Sequence, residues 1–370
     1  MVRIELKEIV SNYDNKRKAL NAVERGNKKT NPQYPYYGAN GIVDFIDEYI
    51  FDEELLCIAE DGGNWGYKQN CSYIANGKYW VNNHVHVLKP KKNVEIKYLM
   101  YYLNYTDLTS YITGTTRGKL TRTALDKIQI NLPELEIQRE IVIILDKINN
   151  LIEKNKKRII YLKELVKSRF IEMFGDPIKN DKGWEINKLF EVADVRDGTH
   201  SSPRYIENGI PLVTSKNIKK DGINFENINF ISEEDYNNIN KRSKVDNGDI
   251  IMPMIGTIGN PIIINTNKKF SIKNVCLIKF SNIKLINYYC KYLFSIEFIK
   301  SKTNFRGGTQ KFISLKDIRN IEIPLPPLLM QNEFASFVTK TNKLKFEAEK
   351  SLKEMENLYD SLMQKFFKQN

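Results

Sequence analysis

Three histidines, four cysteines and no apolar run of about 18 residues set the first limits on this chain. Cys57, Cys71, Cys276 and Cys290 include no Cys-x-x-Cys pair. That spacing excludes a disulfide framework and a cysteine metal cluster, and reads as the reduced thiols of a cytoplasmic protein. His84 and His86 share a strand face with no third ligand type beside them, and His200 stands alone, so no metal is expected. Without a long apolar run no segment spans a membrane, and Met1-Val2-Arg3-Ile4-Glu5 lacks the apolar core of a signal peptide.

Catalytic signatures are equally scarce. Gly114 to Lys119 is one residue short of a P-loop, and Leu120 stands where Ser or Thr would hold magnesium. Asn31-Pro32-Gln33-Tyr34 departs at its third residue from the Asn-Pro-Pro-Tyr tetrad of amino-methyltransferases, and no Phe-x-Gly-x-Gly loop accompanies it. Asp61 and Asp249 sit at strand ends without the Glu-x-Lys element of a nuclease, and read as turn caps. The sequence therefore offers no catalytic residue and no cofactor site.

What is present is a long helix, twice. From Leu135 to Phe174 there is no proline and no glycine, and apolar residues recur in alternating steps of four and three. The seam reads Ile141, Leu145, Ile148, Ile152, Asn155, Ile159, Leu162, Val166, Arg169, Met173. Such steps mark a coiled coil. Adding 193 to each number (141 to 334) gives Phe334, Val338, Thr341, Lys345, Ala348, Leu352, Met355, Tyr359, Leu362, Phe366. A flanking stripe repeats too: Ile144, Leu151, Arg158, Leu165 against Phe337, Leu344, Ser351, Leu358. Either the helices oligomerise or the two copies pack on each other within one chain; the second reading is the sharper.

The stretches before each helix also correspond. Leu55-Leu56 before Gly62 and Gly66 matches Ile250-Ile251 before Gly256 and Gly259. Val85 to Lys89 matches Val275 to Lys279, and Ile96, Tyr98, Tyr102, Leu103 match Ile286, Tyr288, Tyr292, Leu293, all at an offset of 190 (85 to 275). Val81 to Leu88 alternates and reads as one strand, and Ile96 to Leu108 as a helix. The expected organisation is a globular unit (1–132), a long helix (133–174), a second unit (175–325) and a second helix (326–370). The fold class is α+β: two mixed α/β domains in tandem pseudo-repeat, separated by two long antiparallel coiled-coil-like helices. A pseudo-twofold axis would place the units at opposite ends of a rod.

Lysine and arginine exceed aspartate and glutamate by 57 to 45, a net charge of +12 with a pI near 9.2. That balance fits a polyanion partner. Both units carry loops that mix glycine with residues suited to DNA: Gly lets backbone N–H groups approach phosphates, Arg and Lys read guanine, Asn and Gln read adenine. The candidates in the first unit are Tyr37, Asn40, Asp61, Asn64, Trp65, Asn83, Arg117, Lys119 and Arg122. In the second they are Thr199, His200, Lys216, Asn217, Thr257, Lys273, Arg306, Thr309, Gln310 and Lys311.

Taken together, Tyr34-Pro35-Tyr36-Tyr37-Gly38-Ala39-Asn40-Gly41-Ile42-Val43-Asp44-Phe45, the Pro133…Gln138 helix start, Phe174-Gly175-Asp176-Pro177 running into Gly183-Trp184-Glu185, and Pro326-Pro327 with Gln331 resemble the specificity subunit of type I restriction-modification systems. The resemblance covers essentially the whole chain. It implies two target-recognition domains, each reading one half of a split, asymmetric double-stranded DNA site, spaced by two antiparallel helices. It further implies a non-catalytic subunit that docks two methyltransferase subunits and, in the full complex, restriction subunits. S-adenosylmethionine and ATP with magnesium belong to those partners and not to this chain. The second domain lacks the Tyr-Gly-Ala-Asn-Gly segment, so the two halves should read different sequences. The rival reading is an enzyme, a divergent DNA methyltransferase or a nuclease fusion.

Overall fold

The structure, a computed structural model, describes residues 2–114, 116–219, 222–256, 258–280, 284–303, 305–307 and 311–368. Packing groups the chain into two compact units, residues 1–156 with 350–370, and residues 157–349. The division between the units falls within each long helix.

The first unit is built on a strand buried on both faces, Leu55–Ala59. It lies in an antiparallel sheet of order Val10–Asn12, Val85–Pro90, Leu55–Ala59, Ser72–Ala75. Strand residues alternate between faces. Leu56 and Ile58 join a core with the helix Ile96–Tyr105 and with Ile141, Leu145, Met363 and Phe367 of the long helices. Leu55 and Cys57 face Phe51, Tyr79, Val81 and Val87. A second sheet follows the order Gly41–Ile46, Tyr34–Gly38, Lys78–Val81, Phe51–Asp52. The single strand expected over Val81 to Leu88 is thus two strands in different sheets. Asn82 Oδ1 accepts the His84 N–H at 2.8 Å, and this side-chain turn breaks the run.

The second unit repeats the plan. Its main sheet runs Asp194–Asp197, Val275–Lys279, Ile250–Pro253, Ile262–Ile263. The central pairing recurs in register: Leu56 opposite Leu88 in the first unit, Ile250 opposite Ile278 in the second. Asp194–Asp197 ends with Asp197 opposite Cys276. In the first unit Asn12 pairs with Leu88, so two residues further on Asp14 faces His86, the counterpart of Cys276. Asp14 and Asp197 are equivalent positions.

Each long helix starts from a short antiparallel pair and a buried glutamine. Gln138 Oε1 accepts the Glu95 N–H at 2.8 Å, and its Nε2 donates to Asn93 O (3.1 Å) and Pro133 O (2.8 Å). Gln331 does the same with Ile286 N–H (2.9 Å), Lys284 O (3.1 Å) and Pro326 O (2.8 Å). Both side chains are fully buried and saturate their hydrogen bonds on the surrounding backbone. The same equivalence corrects the repeat alignment. Tyr98 Oη donates to Asn131 O and Tyr289 Oη to Pro324 O. The counterpart of Tyr98 is therefore Tyr289, one residue beyond the Tyr288 that a constant offset selects.

The helices span Leu135–Phe174 and Leu328–Phe367. Gly175 stops the first: its φ is +75°, and a Cβ there would collide with Asp181 and Lys182. In the first unit the pairing is antiparallel. Lys156 Nζ lies 3.6 Å from Glu356, while Phe367 packs among Tyr98, Tyr102 and Tyr105 of the helix whose Lys97 and Tyr101 bond Asp146. In the second unit the late part of the first helix meets the early part of the second, with Phe170 and Phe174 against Phe334.

Of the seam residues, Ile141, Leu145, Ile152, Ile159, Val166 and Val338 are buried, and Ile148, Leu162, Leu352, Met355 and Leu362 half-buried. Leu344, a flanking-stripe residue beside the seam, is 43% exposed, and other residues of that stripe are similarly open: Ile144 at 40%, Leu151 at 50%, Leu165 at 49% and Leu358 at 48%. Periodicity groups two adjacent stripes that this chain buries unequally. Among the described residues no helix is long and apolar enough to cross a membrane.

Candidate nucleic-acid interface

In the first unit four loops converge at the end of Leu55–Ala59. They are Glu60-Asp61-Gly62 directly after that strand, the Asn82-Asn83-His84 turn, the segment ending in Arg117-Gly118-Lys119, and the hairpin tip at Asn40. Backbone bonds between Thr113 and Lys119 (2.9 and 2.7 Å) close the third loop, and Leu120 N–H to Glu60 O (2.7 Å) pins it to the strand end. Asn40 Nδ2 donates to Gly62 O at 3.3 Å. Arg117 Nη2 donates to Asp61 Oδ1 at 2.6 Å, and His84 Nδ1 lies 2.9 Å from the same carboxylate. Gly62 has φ +67°, and a Cβ there would stand 3.2 Å from Arg117 Nη2, so glycine leaves the guanidinium its space.

Beneath this surface lies a second charged group. Asp14 Oδ2 is 2.6 Å from His86 Nδ1, and His86 Nε2 is 2.7 Å from Leu120 O. Arg17 Nη1 donates to Glu60 Oε2 at 2.6 Å, and Lys119 Nζ is 2.9 Å from Glu60 Oε1. Burial pushes the carboxyls of Asp14 and Glu60 up. For Asp14 the His86 bond and charge and the Val87 N–H outweigh it; for Glu60 the bonds from Arg17 and Lys119 do. Both end below the usual range. Asp14, Glu60 and His86 hold ligand-type atoms within 4.8 Å of one another. Arg17 and Lys119 already neutralise those carboxylates, and both His86 nitrogens face other partners, so the donor set suits an internal ion-pair network better than a cation site.

The second unit displays a parallel arrangement. Asp197, nearly buried, bonds Arg242 through Oδ1 and His200 Nε2 through Oδ2 at 2.6 Å. His200 Nδ1 is also 2.8 Å from Asn274 Oδ1. Thr199 bridges to Lys273, whose Nζ donates to Ser202 Oγ at 2.6 Å. Arg306 lies 3.2 Å from Asp317, and Gly256 N–H bonds Lys311 O at 3.0 Å.

Of the sequence candidates, the structure brings Asn40, Asp61, Asn83, Arg117 and Lys119 together in the first unit, and Thr199, His200 and Lys273 in the second. Asn64 is exposed and, with Asn40, lines an open cleft of about 950 Å³ in the first unit. Lys216 and Lys311 are exposed on separate loops. Three candidates serve the fold instead. Trp65 is buried and its Nε1 donates to Ala59 O at 3.1 Å. Tyr37 stacks on Tyr73 with ring centroids 5.3 Å apart. Asn217 is buried and its Oδ1 accepts from Thr214 N–H and Oγ1 at 3.0 and 2.9 Å. Arg122 pairs with Asp126 on its own short helix at 2.9 Å. Thr257, Thr309 and Gln310 lie outside the described residues. Sequence reasoning missed Asp197, Arg242, Arg17 and Asp14. All four cysteines are buried and unpaired with one another, and burial pushes the thiols of Cys57, Cys71 and Cys276 up to about 12.

These loops stand at corresponding ends of two like scaffolds, and the comparison with known proteins explains the duplication. The model of the type I restriction modification DNA specificity domain matches residues 1–164 and again 181–357. The chain belongs to that family. A Haemophilus influenzae protein assigned as a type I restriction enzyme specificity subunit is 28% identical over 352 residues, covering 92% of this chain and 87% of its own. The MjaVIII specificity subunit of Methanocaldococcus jannaschii is 27% identical over 366 residues, covering 88% and 84%. The crystal structure of the S subunit from M. genitalium superposes with a TM-score of 0.62 at 16% identity, covering 100% of this chain and 96% of that one, and so shares its fold. The fold is therefore two type I specificity domains in tandem.

Proposed function

We propose that this specificity subunit is a non-catalytic DNA reader in which each unit recognises one half of a bipartite, asymmetric double-stranded site. The observation that carries the reading is the recurrence, on like scaffolds, of a recessed aspartate that holds one exposed arginine and one histidine: Arg117 and His84 on Asp61, Arg242 and His200 on Asp197. The surrounding loops differ between units, which suits two different half-sites. S-adenosylmethionine enters on two methyltransferase subunits, and restriction subunits with ATP and magnesium complete the assembly. Docking of the methyltransferases is supported by the bare stripe on the long helices, including Leu151 at 50% and Leu165 at 49% exposed.

If the excess of lysine and arginine serves phosphate contacts, log affinity for duplex DNA falls linearly with log salt, by about 0.9 per phosphate neutralised. A gel-shift titration measures the slope; affinity independent of salt would remove the electrostatic basis of the reading.

The long helices also set the separation of the half-sites in this proposal. Inserting one seam-preserving heptad after Arg158 adds a rise of about 10.5 Å, near three base pairs at ~3.4 Å each. The expected variant keeps both half-sites and lengthens the spacer by roughly one to three base pairs. Mapping of methylated sites in cells carrying it gives the answer, and an unaltered spacer with altered half-site bases would place specificity in the helices instead.

A further inference from the structure

We infer that each unit reads a guanine through one arginine aimed by a recessed aspartate: Arg117 aimed by Asp61 in the first unit, Arg242 by Asp197 in the second. The inference deepens the reading of the chain as a DNA-specificity subunit and rests on it. In both pairs the arginine is open to solvent and the carboxylate is not. Side-chain exposure is 65% for Arg117 against 16% for Asp61, and 63% for Arg242 against 6% for Asp197. In both, the aspartate also holds a histidine, the half-buried His84 or the exposed His200. The aspartates are not equivalent positions: Asp61 follows the central strand, whereas Asp197 ends the edge strand and has Asp14 as its counterpart. The same device therefore stands at two different places on one scaffold, as two readers of different sequences require.

The chemistry distinguishes a base reader from a phosphate clamp. A carboxylate beside an arginine cancels much of its charge and repels a phosphate, so it works against a backbone contact. It does fix the plane of the guanidinium, and one engaged Nη leaves the other N–H groups of the fork for a ligand. Two parallel donors in a fixed plane match O6 and N7 of guanine in the major groove. Gly62 keeps the space that Arg117 Nη2 occupies. The aspartates are positioning residues, since they act through the arginine.

The test is selection by the full-length chain from a pool of randomised duplexes, with salt titration of the winners. Wild-type protein is expected to enrich a two-part motif. Arg117→Ala should lose a guanine preference of about ten- to a hundredfold at one position of one half-site and leave the other half intact. Arg242→Ala should do the converse. Arg117→Lys keeps the charge but not the fork, so it should lose the same preference at an unchanged salt slope. Asp61→Asn and Asp197→Asn should weaken that preference with the arginine still present, which a merely structural role would not do. An unchanged motif in Arg117→Ala and Arg117→Lys, with a salt slope lower by about one in the Ala variant only, would make Arg117 a phosphate contact and overturn the inference while the specificity reading stands. If wild-type protein binds DNA but enriches no motif, both are overturned.

Discussion

Arg17→Ala is expected to destabilise the protein by about 3–5 kcal/mol at neutral pH, the usual cost of removing one partner from a buried ion pair. Arg17 is 14% exposed, and its guanidinium serves Glu60, the Val85 carbonyl and the Asp14 backbone oxygen. Without it, two carboxylates that are each 12% exposed keep Lys119, half-exposed, His86 and the Val87 N–H beside them, with no buried arginine. Arg17→Lys should recover only part of the loss, because a point charge cannot reach three acceptors set around a planar fork. Asp14 and Glu60 have folded-state pKa values below their unfolded ones. Their contribution is therefore present above the unfolded values, near 4, and fades as pH falls through the folded ones. The penalty of Arg17→Ala should shrink below about pH 4 for the same reason. Urea unfolding at neutral and acid pH measures both effects. A midpoint unchanged at neutral pH, or a penalty that persists unaltered into acid, would mean the network is not the buried charge cluster described.

The long helices were legible because forty residues of one period, without an interior glycine or proline, leave no competing structure. Their starts were legible for a local reason too, since Pro133 and Gln138, or Pro326 and Gln331, lie within one helical turn or two of each other. The recognition loops were harder. Insertions make the repeat offset drift from 183 (Asp14 to Asp197) through 191 (Tyr98 to Tyr289) to 193 (Gln138 to Gln331). A constant offset therefore missed the pairing of Asp14 with Asp197. Arg242 escaped notice because it ends a polar helix, Glu233–Ser243, far along the chain from the aspartate it serves. Trp65 and Asn217 have side chains suited to DNA, and only the folded chain shows that backbone groups already occupy them.

The stripe Ile144, Leu151, Leu165, Leu344, Leu358 carries a different lesson. Its spacing is that of a buried helix face, and the chain leaves it open. Periodicity reports that a face is to be covered, not by what.

Phe334→Ala is expected to cost about 3–5 kcal/mol, the range for deleting a fully buried aromatic ring. Phe334 has no exposed surface and stands where the second unit's globular body meets both long helices. Its ring centroid lies 5.5 Å from Phe170, 5.5 Å from Phe174 and 5.4 Å from Tyr292, each in an edge-on arrangement. Phe174 in turn packs 4.8 Å from Tyr289, whose hydroxyl is committed to Pro324 O. The surrounding rings belong to helices anchored at their ends by Gly175 and Gln331, so collapse into the vacancy is restricted and the cavity term stays large. Phe334→Leu retains most of the volume and should lose only about 1–1.5 kcal/mol. The seam neighbour Leu344, 43% exposed, supplies the contrast, and Leu344→Ala should lie within about 0.5 kcal/mol of wild type. Urea denaturation of the three variants at constant m separates these cases. If Phe334→Ala cost no more than Leu344→Ala, the aromatic cluster would not be the joint that holds the helices to the second unit.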